Sequence, residues 1–107
     1  MNKHNIIKKG TIYKISSDKT DMIYIGCTSN DIKKRFSVHK SHFKIWKNGN
    51  AGYQTCMNKI FDLGGNVKIE KISEHHNIEK KKLLCLEMDL ILNTPNTINI
   101  IRRYPVH

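Results

Sequence analysis

Five side chains in this sequence have the types and spacing to do chemistry together: Tyr13, Tyr24, Arg35, His39 and Glu87. A guanidinium keeps its charge and matches phosphate oxygens two at a time, which suits Arg35 to an anionic substrate. The bland reading of Arg35 is a solvated arginine in a basic helix. Phenol and imidazole can hold or pass a proton. His39 lies one turn after Arg35, and on its own it reads equally as a partly buried, hydrogen-bonded histidine.

Glu87 is singled out by its place on a helix. At about 100° per residue, a third helix from about Asn77 to Asn93 puts Leu83, Leu84, Leu86, Met88, Leu90 and Ile91 on one broad apolar arc. Glu87 falls near the middle of that arc. Burying an unpaired carboxylate costs several kcal/mol, so Glu87 needs a metal ion, a cationic partner such as Arg35 or a lysine, or a water-filled cleft.

Two short Ile- and Tyr-rich segments, 10–15 and 22–26, must carry the tyrosines, with turn chemistry in Ser17-Asp18-Lys19-Thr20-Asp21 between them. They form one hairpin. An even loop pairs Ser17 with Met22, which sets Tyr13 opposite Gly26 and Ile15 opposite Tyr24. Tyr13 and Tyr24 then share a face, and Gly26 leaves room there for a close approach to the backbone. Ile12, Ile23, Ile25 and Cys27 make the other face apolar. Ser29-Asn30-Asp31 starts a helix whose buried face is Ile32, Phe36, His39, Phe43 and Trp46, at steps of four and three.

Further on, 47–52 reads as a flexible basic loop. Tyr53, Cys56, Met57, Ile60, Phe61 and Leu63 form a second amphipathic helix stopped by Gly64-Gly65. Val67, Ile69 and Ile72 mark a third strand, and the step to Ile72 breaks alternation, as a bulge or a strand end does. Pro95 closes the third helix. Asn96 to Asn99 leads into Arg102 and Arg103, which fit phosphate or solvent contact.

Thr11-Ile12-Tyr13, Tyr24-Ile25-Gly26, Arg35 and His39 together resemble the GIY-YIG nuclease family, most closely its homing-endonuclease-like branch. Thr11 stands where the first tripeptide has glycine, with Gly10 one place upstream. The resemblance runs through Asn99, and a family histidine expected between Trp46 and Tyr53 has no counterpart. It implies an α+β fold: a small three-stranded antiparallel sheet flanked by helices. It divides the chain into a basic lead 1–9, a nuclease domain 10–101 and a tail 102–107.

The resemblance also implies roles for matching residues. Tyr13 binds or deprotonates the attacking water, Tyr24 positions water or phosphate, and His39 assists proton transfer or orients Tyr13. Arg35 stabilises the phosphorane-like charge, and Glu87 is the metal ligand. The implied cofactor is Mg²⁺ or Mn²⁺, one ion per site. Asn99 matches a late asparagine near the site and reads equally as turn chemistry, with Asn96 as the fallback. Gly26, Lys33, Lys34 and Asn99 are the expected substrate contacts. An unperturbed phenol, with a pKa of about 10, is a poor base at neutral pH, so nearby cations, Lys14, Lys33 or Lys34, would have to lower Tyr13.

Bulk properties fit a polyanionic partner. The 107 residues make one domain with formal charge +10 and pI near 9.7, a field that attracts nucleic acid. DNA is the expected partner. No apolar run suits a membrane, and the polar lead lacks a signal-peptide core, so the expected location is intracellular, not secreted. Cys27, Cys56 and Cys85 lack zinc spacing and read as reduced cysteines in core or partly buried positions. His42 beside the His39 turn, and the His75-His76 pair, lack further ligands at metal spacing. Family members usually join this domain to a separate DNA-recognition module, so the sequence is expected to be one domain of a longer protein, to stand alone with little sequence specificity, or to act through a partner or as a homodimer. The expected function is metal-dependent DNA endonuclease. The alternatives are a catalytically silent nucleic-acid-binding module of the same fold, and an RNA-binding or assembly protein whose tyrosines stack on bases.

Overall fold

The computed structural model describes residues 6–50, 52 and 57–99. Among them β1 (Ile6–Ser17), β2 (Thr20–Thr28), α1 (Ile32–Lys47), α2 (Asn58–Leu63), β3 (Val67–Glu79) and α3 (Lys80–Asn93) follow in that order. The strands form one antiparallel sheet with β1 in the middle, in the order β2-β1-β3. The fold class is the expected α+β architecture. Tyr53, Cys56, Arg102 and Arg103 lie outside the described residues.

The sheet has a packed layer on each side because β1 and β2 are apolar on both faces. On one face Ile12, Ile25 and Ile78 pack with Leu83 and Ile91 of α3. On the other, Tyr13 and Ile15 pack with Met57 and Ile60 at α2 and are flanked by Ile32 and Phe36 of α1. Asp31 caps α1 by accepting the Lys33 amide at 2.9 Å. Phe61 stacks on both Phe36 and Phe43, which ties α2 to α1. Gly64 ends α2 at a positive φ of 74° that other residues adopt at a cost.

The hairpin register is as expected where it matters: Tyr13 pairs with Gly26 and Ile15 with Tyr24. At the tip it differs. Ser17 pairs with Thr20 rather than Met22, and the register shifts between Ile15 and Ser17. The Ser17 hydroxyl reaches the Gly64 carbonyl at 2.8 Å, and Asp18 accepts the Asn66 amide, so contacts with the α2–β3 turn hold the tighter tip.

Two boundaries differ from the sequence expectation for one shared reason. Residues 6–9 are part of β1 instead of a separate lead, and β3 continues to Glu79, so α3 starts at Lys80 and not near Asn77. Ile7 pairs with Ile78, which is buried, and burying that pair outweighs the local helical pattern. Asn77 has φ +51°, outside right-handed helical geometry. Ile72 is the extra residue of a bulge, since Ile12 pairs with Ser73 and Tyr13 with Lys71.

Candidate active site

Tyr13 is 1 % exposed, and the space for its ring comes from the residue opposite. A Cβ on Gly26 would lie 2.5 Å from the Tyr13 hydroxyl, so only glycine lets the phenol cross β2 at this level. The room expected above Gly26 for substrate is therefore taken by the Tyr13 ring, and Gly26 serves to seat the phenol. Gly10 has a different part. Alternation puts it on the α3 face, where a Cβ would meet Leu83 at 2.6 Å, so it does not stand in for the glycine that Thr11 replaces.

Three elements converge on the Tyr13 hydroxyl. His39, 6 % exposed on α1, lies with Nε2 2.9 Å from it. Tyr24 from β2 meets the His39 ring nearly edge-on, with centroids 5.9 Å apart. Arg35, one turn earlier on α1, hydrogen-bonds the phenol, and Glu87 of α3 lies within electrostatic reach of it.

The proton positions follow from these surroundings. Burial raises the Tyr13 pKa above the ordinary phenol value, and the Arg35 hydrogen bond and charge lower it only in part. The expected lowering by lysines is overturned. Lys33 and Lys34 are exposed, and Lys14 pairs with Glu70 across the strands at 3.9 Å. Burial first, then the charges of Arg35 and His42, push His39 down to about 4. At neutral pH the imidazole is uncharged, and in its Nδ1–H tautomer the Tyr13 hydroxyl donates to His39 Nε2.

Glu87 is half-buried, and burial raises its pKa. It forms no ion pair among the described residues; its hydrogen-bond partner is the Cys27 thiol. That thiol stays protonated, pushed up to about 12 by burial and by the Glu87 charge. Among the described residues the ion-pair alternative for Glu87 thus lacks its cation. No three His, Cys, Asp or Glu side chains among the described residues are grouped to hold a metal. A cation here would have Glu87 as its one protein carboxylate, a donor set that suits Mg²⁺, which keeps most of its waters.

Asn99 grips the backbone beside the site. Its side-chain oxygen accepts the Ile25 amide at 2.9 Å, and its Nδ2 donates to the Ile25 carbonyl at 2.6 Å. With its oxygen and one N–H committed to β2, Asn99 positions Gly26 and Tyr24. Asn96 is the turn residue, at φ +66°.

Two residues near the site escaped the sequence reading. Cys27 was expected only to cover the core, yet it also touches Glu87. Lys80 lies within electrostatic reach of Cys27, seven residues and two turns before Glu87 on the same helix face. That spacing was readable once α3 was known to begin at Lys80. Cys85, expected to be at least partly buried, is exposed, because it faces away from the sheet. Comparison with models of known protein families, with curated proteins and with solved structures finds no match to this chain.

Proposed function

We propose that the protein is a GIY-YIG-type, metal-dependent DNA endonuclease. The observation that carries this reading is the meeting of Tyr13, His39, Arg35 and Glu87 from three different elements around one phenol oxygen. A core needs hydrophobes at such a point; a buried phenol, a neutral imidazole, a guanidinium and a metal-ready carboxylate together suit phosphodiester hydrolysis.

The chain's own residues divide the work. Arg35 binds the non-bridging oxygens of the scissile phosphate and takes up the charge that grows on them. Tyr13 holds the attacking water. As the water oxygen bonds to phosphorus, its proton passes to the phenol oxygen while the phenol proton moves to His39 Nε2. Neutral His39 is ready to accept it at any pH well above 4. Tyr24 packs against the imidazole and keeps it aimed at Tyr13. Glu87 would hold the divalent cation, which when bound supplies Lewis-acid stabilisation of the departing 3′-oxygen. A protonated, buried Tyr13 makes the relay to His39 necessary, where a free phenolate would act alone.

One such site cuts one strand, so double-strand cleavage needs a homodimer or two binding events, and sequence choice needs a separate recognition partner. No helix among the described residues is long and apolar enough to cross a membrane. The free thiols of Cys27 and Cys85 fit an intracellular protein.

The test is cleavage of supercoiled plasmid with Mg²⁺, with EDTA, and with Glu87→Ala. Metal-dependent nicking that the variant loses is the expected result. Binding without cutting under Mg²⁺ and Mn²⁺ would sink the nuclease and leave the silent binding module.

A further inference from the structure

Some lysines of this protein are paired and others, including Lys8, Lys19, Lys59 and the run Lys80-Lys81-Lys82 on α3, have no carboxylate partner among the described residues. On the sheet, Lys9 and Lys71 share Glu74, and Lys14 and Lys68 share Glu70. On α1 the balance is different. The helix contains no acidic residue, and Lys33, Lys34, Lys40 and Lys44 have no carboxylate partner among the described residues; only Lys47 pairs, with Asp62. What sets α1 apart is that its unpaired lysines face no acidic residue anywhere along the helix.

The unpaired charges are also aligned. At 100° per residue Lys33, Lys40 and Lys44 fall within about 40° of arc, on the flank of α1 away from Arg35. The row is about 17 Å long at 1.5 Å per residue. All three are exposed, and Lys40 lies over the Phe36 ring at 4.6 Å, which holds it on that flank. A row of like charges on one flank repels itself in water unless an anion lies along it.

We infer that this flank of α1 is a docking surface for the phosphate backbone of duplex DNA. The inference rests on the nuclease reading for its choice of ligand and goes beyond it in naming the surface. The anchored phosphates lie across α1 from Arg35, about one helix diameter, 10–12 Å, from the scissile phosphate. They set the duplex on the protein and take no part in the chemistry.

The experiment measures the affinity for a random-sequence linear duplex against KCl, in EDTA so that nothing is cut. It compares wild type, Lys40→Gln/Lys44→Gln, and Lys68→Gln/Lys71→Gln. The two double variants lose the same net charge, and Gln keeps the helical preference of α1. Expected is a slope of log K against log salt that shrinks by about 1.8 in the α1 variant, at about 0.9 per phosphate contact, with no change in the sheet variant. Matching melting temperatures exclude misfolding as the cause. Equal losses in both variants would show that only net charge matters and would overturn the surface, as would an unchanged slope in the α1 variant. Binding to anionic lipid vesicles without salt-dependent duplex binding would also overturn it. A protein whose slope shrinks only in the α1 variant but which never nicks plasmid in Mg²⁺ removes the nuclease reading and supports the surface.

Discussion

Tyr13 on β1 and His39 on α1, 26 residues apart in the chain, share a buried hydrogen bond of 2.9 Å from the phenol oxygen to imidazole Nε2. Each is what the other lacks: burial keeps the phenol protonated and the imidazole neutral, so donor and acceptor are matched at neutral pH.

Tyr13→Phe therefore removes one oxygen and leaves His39 Nε2 without its donor. Stability should fall by about 1–2 kcal/mol. Nicking under single-turnover conditions should fall by at least about 100-fold with DNA affinity little changed, because the lost group moves a proton and does not bind phosphate. A variant that cuts at wild-type rate would remove Tyr13 from the chemistry.

The two strand glycines should separate packing from catalysis. In Gly26→Ala the new methyl meets the Tyr13 ring, which is 1 % exposed and has nowhere to go. In Gly10→Ala it meets the end of the Leu83 side chain on the opposite face. Both should lose about 1–3 kcal/mol. Plasmid nicking should collapse only in Gly26→Ala, because only there does the phenol leave its place over β2. Equal cleavage by the two variants would count against the seating of Tyr13 by Gly26.

Acid should weaken the fold through His39. The imidazole titrates near 6.5 when unfolded and near 4 when folded, so the unfolded state binds more protons between those values. Its contribution is complete above pH 6.5 and is lost as the pH falls toward 4, about 3 kcal/mol at most. Glu87, with its raised pKa, acts in the opposite sense over part of that range. Thermal melts from pH 7 to pH 4.5 on wild type and His39→Gln check this: the variant should be less stable at pH 7 and lose less on acidification.

Glu87 should trade stability for metal binding. A half-buried carboxylate without an ion pair among the described residues destabilises the metal-free fold, so Glu87→Gln should melt about 2–5 °C higher than wild type in EDTA. Millimolar Mg²⁺ should raise the wild-type melting temperature and leave the variant where it is. The opposite order in EDTA would mean that Glu87 is held by a cation after all.

Asn99→Ala should act at a distance. It releases both bonds to Ile25, costing about 1–2 kcal/mol, and slackens the strand that carries Gly26 and Tyr24. Cleavage should recover in part at lower temperature as β2 reorders. A direct substrate contact would show instead as weaker DNA binding at every temperature.

Much of this arrangement was legible before any coordinates. The pairing of Tyr13 with Gly26, a capped start for α1 within Ser29-Asn30-Asp31 and the buried face of α1 follow from alternation, turn residues and a 3.6-residue period, which act over a few neighbours. Of those three residues, the one that caps the helix is Asp31. The odd position of Glu87 followed from the same periodicity. The extent of β1 and β3 did not, because Ile7 and Ile78 are 71 residues apart and neither local pattern contains the other. The same holds for Asn99 and Ile25, 74 residues apart.

What the sequence alone determined is therefore the inventory and its local placing: two tyrosines on one hairpin face, Arg35 and His39 one turn apart, and a carboxylate on an apolar helix. What only the tertiary structure decided is the state of those groups. Whether Tyr13 is a free phenolate or a buried donor, whether Glu87 has a cation, and which lysines are neutralised depend on desolvation and on partners brought in from distant strands. Those effects have no local signature, because the energy of a charge is set by everything around it and not by its neighbours in the chain.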